Sequence, residues 1–194
     1  FLSELRELTE RVGVVLIFDE VVTGFRTSKG GAQAYYGVTP DISTFAKILA
    51  GGLPGGAVAG KADLVDMIQL RDDAEFNQSH RISHNGTFNA NPLSAAAGST
   101  ALNLIATTSV NDTADIMAAR LKDGLNDMLT RMEVSGCASG VASCVFLRLG
   151  VDHECDKDVC LMELDDQHKV ENGAIKNALA MSMYSHGVDS GPRF

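Results

Sequence analysis

Val14-Val15-Leu16-Ile17-Phe18-Asp19-Glu20 joins five large apolar residues directly to two carboxylates. Two valines and an isoleucine in five positions are the composition of a strand buried on both faces of a mostly parallel sheet. A carboxylate has no use inside such a strand, but at its carboxyl end it lies where open α/β sheets bind ligands. On the N-terminal side, Leu2, Leu5, Leu8 and Val12 lay an apolar stripe along a helix ending near Arg11. On the C-terminal side, a Gly-rich loop leads to a short strand near 41–45, with Lys47 directly behind it. Alternating helix and strand imply a parallel-rich sheet, so Asp19 and Lys47 leave strand ends and face one cleft.

Gly51, Gly52, Gly55 and Gly56 around Pro54 make a tight loop in which backbone can approach a ligand closely. A small-residue strand over 56–60 and a short helix over 62–70 follow. The stretch 69–83, with Arg71, Asp72, Asp73, Glu75 and Arg81, reads as an exposed loop. Residues 92–105 are small and apolar and suit a closely packed helix. From 112 to 132, Met117, Leu121, Leu125, Met128 and Met132 recur at helical spacing, with the methionines as core filler. A strand over 141–149, an acidic, solvated loop over 152–167 and a helix over 172–184 complete the chain.

The 25 acidic against 16 basic residues give a formal charge of −9, which argues against a nucleic-acid or anionic-membrane surface. No apolar run approaches the about 20 residues of a membrane helix. Glu4, Arg6, Glu7, Glu10 and Arg11 break any signal-peptide core. A cytoplasmic location is the simple expectation, a plastid the alternative. Cys137, Cys144, Cys155 and Cys160 fall in the last third, the latter two near His153, Asp156, Asp158 and His168. That spacing matches no zinc pattern with paired short ligand loops, so reduced thiols and no metal are expected.

Taken singly, Asp19 reads as a helix N-cap or turn residue and Lys47 as a solvated lysine. Their surroundings change that reading. Four blocks stand in order: Asp19-Glu20-Val21-Val22-Thr23-Gly24-Phe25-Arg26; Gly30-Gly31-Ala32-Gln33-Ala34-Tyr35-Tyr36-Gly37-Val38-Thr39-Pro40-Asp41; Lys47 with Gly51-Gly52-Leu53-Pro54 behind it; and Gly86-Thr87-Phe88-Asn89-Ala90-Asn91-Pro92. Together they resemble the class III (subgroup II) pyridoxal-phosphate aminotransferases, and most closely their glutamate-1-semialdehyde 2,1-aminomutase branch.

The resemblance implies an α/β fold of the type I pyridoxal-phosphate transferases. Residues 1–110 would be the C-terminal half of the cofactor-binding large domain, with its mostly parallel sheet, and 111–194 part of a smaller α+β C-terminal domain. The chain would be an internal to C-terminal fragment, inactive alone, because the family's phosphate-holding helix N-terminus and ring-stacking aromatic lie upstream. Lys47 would hold the cofactor as a Schiff base and then shuttle the proton, and Asp19 would keep the ring nitrogen protonated. Val21 would pack on the ring face. Gly86 and Thr87 would reach the phosphate of the neighbouring subunit of a homodimer.

The implied reaction converts glutamate-1-semialdehyde to 5-aminolevulinate for porphyrin biosynthesis. The alternatives are a transaminase acting between an amino compound and an oxo acid, and a truncated, non-catalytic homologue that retains subunit association. Val22, where many class III transaminases carry glutamine, favours the aminomutase. The long 69–83 stretch and Phe88-Asn89-Ala90-Asn91 depart from it.

Overall fold

The structure is a computed structural model that describes residues 1–150, 155–156, 158–160 and 174–189. The chain divides into two compact units, Phe1–Asn111 and Asp112–Phe194.

The first unit opens with α1 (Leu2–Val12), which ends where Gly13 takes the left-handed conformation (φ 69°) and donates its N–H back to Glu10 and Thr9. That reversal, open to glycine at little cost, feeds β1 (Ile17–Asp19). After α2 (Gly31–Tyr36) comes β2 (Ile42–Phe45), parallel to β1 with Ile17 beside Ile42 and Asp19 beside Thr44. β3 (Ala57–Gly60) then pairs antiparallel to β2, giving the order β1-β2-β3. A 3-10 turn (Lys47–Ala50) follows β2. α3 (Ala62–Val65), a second 3-10 turn (Asp66–Ile68), α4 (Ala74–Ser79) and α5 (Pro92–Thr107) follow in order. The small residues of α5 let it pack at backbone distance on the Lys47–Ala50 turn: a side chain on Gly98 would run into the Leu49 carbonyl.

Two expectations for this unit fail. Within this chain the apolar run is not covered on both faces: among the described residues β1 spans three residues and pairs with β2 alone, and Val14, Val15 and Ile17 are 55%, 44% and 56% exposed while Leu16 is buried. The polar 69–83 stretch is not all loop, because it contains α4. Asp73 caps that helix by accepting from the Phe76 N–H at 3.0 Å, and the Arg71 guanidinium lies 3.8 Å from the centre of the Phe76 ring. Local capping and a cation–π contact outweigh low hydrophobicity there.

In the second unit, α6 (Val110–Arg131) leads to the antiparallel pair β4 (Gly136–Ser139) and β5 (Phe146–Leu149), and the unit includes α7 (Ala174–Ser185). The 141–149 reading captured β5 and missed β4, which is short and carries only small residues. Leu129, Ala138 and Leu147 form the core, flanked by Leu125, Leu149 and Leu179. The Asn126 side chain clips α6 to β4 by accepting from the Ala138 N–H (2.8 Å) and donating to its carbonyl (2.9 Å).

The methionine reading is corrected here as well. Met117 and Met132 are 50% and 65% exposed, and the buried residues of α6 are Ala118, Lys122 and Leu129. Met128 is half-buried, and the buried Lys122 donates its ammonium to the Gly140 carbonyl. Most of the 152–167 stretch and the start of the 172–184 helix lie outside the described residues. Among the described residues no helix is long and apolar enough to cross a membrane.

Candidate active site

Asp19 closes β1, and its partner in register on β2 is Thr44, three residues before Lys47. Neighbouring strands lie about 4.8 Å apart. The acid and the amine therefore leave the same end of the sheet, the carboxyl end of two parallel strands. One oxygen of Asp19 accepts from the Val21 N–H at 3.0 Å and from the Thr44 hydroxyl at 3.3 Å. The carboxylate is thereby oriented yet remains exposed. Val21, half-buried, is held next to it by that same bond.

The turn beyond Asp19 is set by Glu20, which is 1% exposed. Its carboxylate accepts from the Thr23 hydroxyl (2.6 Å), the Ala32 N–H (2.8 Å), the Gln33 N–H (3.0 Å) and the Gln33 side-chain amide (3.4 Å). Its own N–H donates to the Thr44 carbonyl at 2.9 Å. A buried carboxylate is tolerable only when its lone pairs are filled in this way. Gly31, at φ 74°, makes the approach possible, since a Cβ there would sit 2.7 Å from the Glu20 carboxylate.

Lys47 opens the 3-10 turn with φ 49° and an exposed side chain. A non-glycine residue in the left-handed region costs roughly 1 kcal/mol, and such strain persists where surrounding structure enforces it. Here α5 packs behind the turn and Gly51 (φ 61°) ends it.

Gly86 and Thr87 are exposed on the turn that precedes α5. Its N-cap is Asn91, whose side chain accepts from the Leu93 and Ser94 N–H groups at 3.0 and 3.1 Å. The Thr87 hydroxyl is thus not engaged in capping that helix. No hydrogen bond among the described residues joins Gly86 or Thr87 to Asp19 or Lys47. A groove of about 800 Å³ has Leu49 and Ala50 on one wall and His84, Phe88 and Asn89 on another, so the 84–91 segment faces the turn that carries Lys47. A second groove, about 310 Å³, runs between α1 and β1 and includes Asp19, Phe18 and Leu5.

At the other end of the same sheet, Asp41 accepts from Lys61 (2.7 Å), Arg6 (3.0 Å) and the Leu16 N–H (2.7 Å). The Lys61 bond first, then the Leu16 amide, hold its carboxyl well below the usual carboxylate range. Lys61 is raised in turn by Asp41.

In the second unit the expectation of four reduced thiols is corrected, because Cys137 and Cys155 form a disulfide. Cys160 lies beside it, with all three sulfurs within 4.8 Å of one another. Sequence spacing concealed this because Cys137 reaches the pair across 18 residues of chain. His153 and His168 lie outside the described residues. Sequence reading also passed over Glu20 and Thr44. Their signals were Glu20's place directly after the strand-ending acid and Thr44's place three residues before Lys47.

Comparison with known proteins defines the fold and the family. The fold matches an omega-transaminase from Sphaerobacter thermophilus over 99% of this chain and 41% of that one, with a TM-score of 0.79 at 31% identity. It also matches a transaminase with pyridoxal phosphate (PLP) bound, over 76% of this chain and 33% of that one, with a TM-score of 0.66 at 28% identity. The fold is thus part of a type I PLP-dependent transferase. The sequence model of the class III aminotransferases matches residues 1–140, and the chain belongs to that family. Among curated relatives, glutamate-1-semialdehyde 2,1-aminomutase of Methanococcoides burtonii is 41% identical over 143 residues, covering 74% of this chain and 32% of the relative. The enzyme of the same name from Desulfotalea psychrophila is 46% identical over 132 residues, covering 68% and 29%. The chain spans about a third of the length of these relatives.

The residues present fit a PLP ring. An exposed carboxylate fixed by two donors suits a protonated ring nitrogen, and an amine at the next strand end suits an aldehyde carbon.

Proposed function

We propose that this chain forms part of a PLP-dependent enzyme that transfers amino groups, and that its reaction is the conversion of glutamate-1-semialdehyde to 5-aminolevulinate. The observation that carries the reading is the pairing of Asp19 and Lys47 at the carboxyl ends of adjacent parallel strands. PLP supplies an electron sink for charge that develops on a substrate carbon. Asp19, oriented by the Thr44 hydroxyl and the Val21 N–H, would accept a hydrogen bond from the ring nitrogen and favour its protonated form. Val21 offers apolar contact to a ring face. Lys47 would hold the cofactor through its amine and, when that amine is free, would move a proton at the substrate carbon as base and then acid. Glu20 positions the Asp19–Val21 turn and touches none of the reacting groups.

We further propose a homodimer in which the exposed Thr87 donates its hydroxyl to the phosphate held by the neighbouring subunit. The aminomutase names of the curated relatives support the specific reaction. The test uses the intact protein with glutamate-1-semialdehyde and no second amino acceptor. Formation of 5-aminolevulinate requires transfer within one molecule, and no product without an added acceptor overturns the aminomutase reading. Borohydride reduction followed by peptide mapping checks the cofactor chemistry separately, with the adduct expected on Lys47.

A transaminase is the second reading. The 31% identity to the Sphaerobacter omega-transaminase and the α4 segment within 69–83 favour it. An amino donor and an oxo acid exchanging amine in the same assay would establish it.

A further inference from the structure

We propose that Cys137, Cys155 and Cys160 form a thiol–disulfide exchange site in the second unit, in which the disulfide moves between Cys137–Cys155 and Cys155–Cys160. The three sulfurs converge within 4.8 Å, and Cys160 carries its thiol next to the Cys137–Cys155 bond. Cys155 and Cys160 lie beyond residues 1–140, so the class III family match does not account for the site.

Backbone pairing brings the exchanging sulfurs together. Cys155 and Cys160 face each other in an antiparallel bridge. The Asp156 N–H donates to the Val159 carbonyl at 3.1 Å, so 156 and 159 are a hydrogen-bonded pair. The next pair outward, 155 and 160, is therefore of the non-hydrogen-bonded kind, whose side chains lie closer together. Cys137 sits on β4 at 5% exposure, next to the core residue Ala138, whereas Cys155 and Cys160 are half-buried. Access thus favours attack at Cys155 over Cys137.

The step balances without an added oxidant or reductant. The Cys160 thiolate attacks the Cys155 sulfur, the Cys155–Cys160 bond forms and the Cys137–Cys155 bond breaks. The electron pair leaves on the Cys137 sulfur, which takes up the proton that Cys160 gave to solvent.

A non-covalent tie keeps the partners in reach after exchange. The buried Lys122 ammonium bonds the Gly140 carbonyl at the end of β4 and lies 3.5 Å from the Asp158 carboxylate in the 156–159 turn. Exchange would thus remove a covalent link from β4 to that turn while Lys122 holds the two near each other.

The test maps disulfides in the intact protein. Samples incubated between pH 6 and 9 are acid-quenched, alkylated with N-ethylmaleimide, digested and analysed by mass spectrometry. Wild type should yield both linked peptides, Cys137–Cys155 and Cys155–Cys160. They should interconvert at a rate that is independent of protein concentration and rises with pH as thiolate forms. Cys160→Ser should contain only Cys137–Cys155, Cys137→Ser only Cys155–Cys160, and Cys144→Ser should match wild type. The wild-type map decides even if a variant fails to fold. A Cys137–Cys155 link that never moves, with Cys160 alkylated throughout, overturns the proposal. So does one tightly bound zinc ion per chain with all three cysteines unlinked.

Discussion

The two ends of the β1–β2–β3 sheet carry the same kinds of charged group in opposite circumstances. At one end Asp41 is 6% exposed at its side chain and accepts from two cations and a backbone amide, so its charge is spent on the fold. At the other end Asp19 has two donors on one oxygen and stays exposed, and Lys47 is exposed on a strained backbone. A closed network stabilises; the oriented but exposed Asp19 and the exposed Lys47 keep bonding capacity for a ligand. Charge alone does not separate the two ends of this sheet, but the bonding capacity that Asp19 and Lys47 keep sets them apart from Asp41 as candidates for a ligand.

That contrast breaks in a predictable order. Lys47→Gly removes the amine while relaxing the φ 49° backbone. The rate of amino-group transfer should fall by at least the 10²–10⁴-fold typical of lost proton transfer, while Tm holds or rises because glycine takes that conformation freely. Parallel rate assays and thermal melts check this, and a simultaneous fall in Tm would show that Lys47 belongs to the structural set. Asp19→Asn keeps shape and loses charge. The rate should drop on the order of 10²-fold, the scale of one lost electrostatic contact in a preorganised site, with stability changed by less than about 0.5 kcal/mol.

Gly31→Ala tests the support beneath the open end. A methyl placed 2.7 Å from the Glu20 carboxylate, at a φ that favours glycine, should cost about 1–3 kcal/mol in chemical denaturation. Activity should fall with it as the turn after Asp19 shifts. Asp41→Asn tests the closed end and should lower Tm with little effect on the rate per folded molecule. The sign of its pH dependence follows from the depressed carboxyl of Asp41. Stability from that carboxylate is present above its unfolded pKa of about 3.9 and is lost as pH falls toward the lower folded value. Wild type should therefore lose stability in acid more steeply than Asp41→Asn, as urea melts below pH 4 would show.

Much of this was legible in the chain. Residues 14–19 announced a strand ending in an acid, and the position of Lys47 behind a second strand placed the amine at the same sheet end. These are local patterns, and neighbouring parallel strands translate them into proximity with little further information. Asn91-Pro92 and the small residues behind them likewise marked a closely packed helix, observed as α5. Less legible was anything that depended on rotation or distant partners. The periodicity of 117–132 defined a helix, yet Met117 and Met132 lie exposed on it while Lys122 is buried against the Gly140 carbonyl. Asp73 and Arg71 built α4 in a stretch whose composition suggested only loop.

The sequence by itself determined the family and the cofactor class, and it singled out Asp19 and Lys47 as candidates, because short motifs and strand periodicity are read within a few residues. Only tertiary structure decided that Glu20 is a buried brace, that Asp41 is locked by Arg6 and Lys61, and that Cys137 meets Cys155 and Cys160. Each of those depends on which groups complete a residue's bonds from 12 or more positions away, and packing geometry, not local propensity, selects those partners.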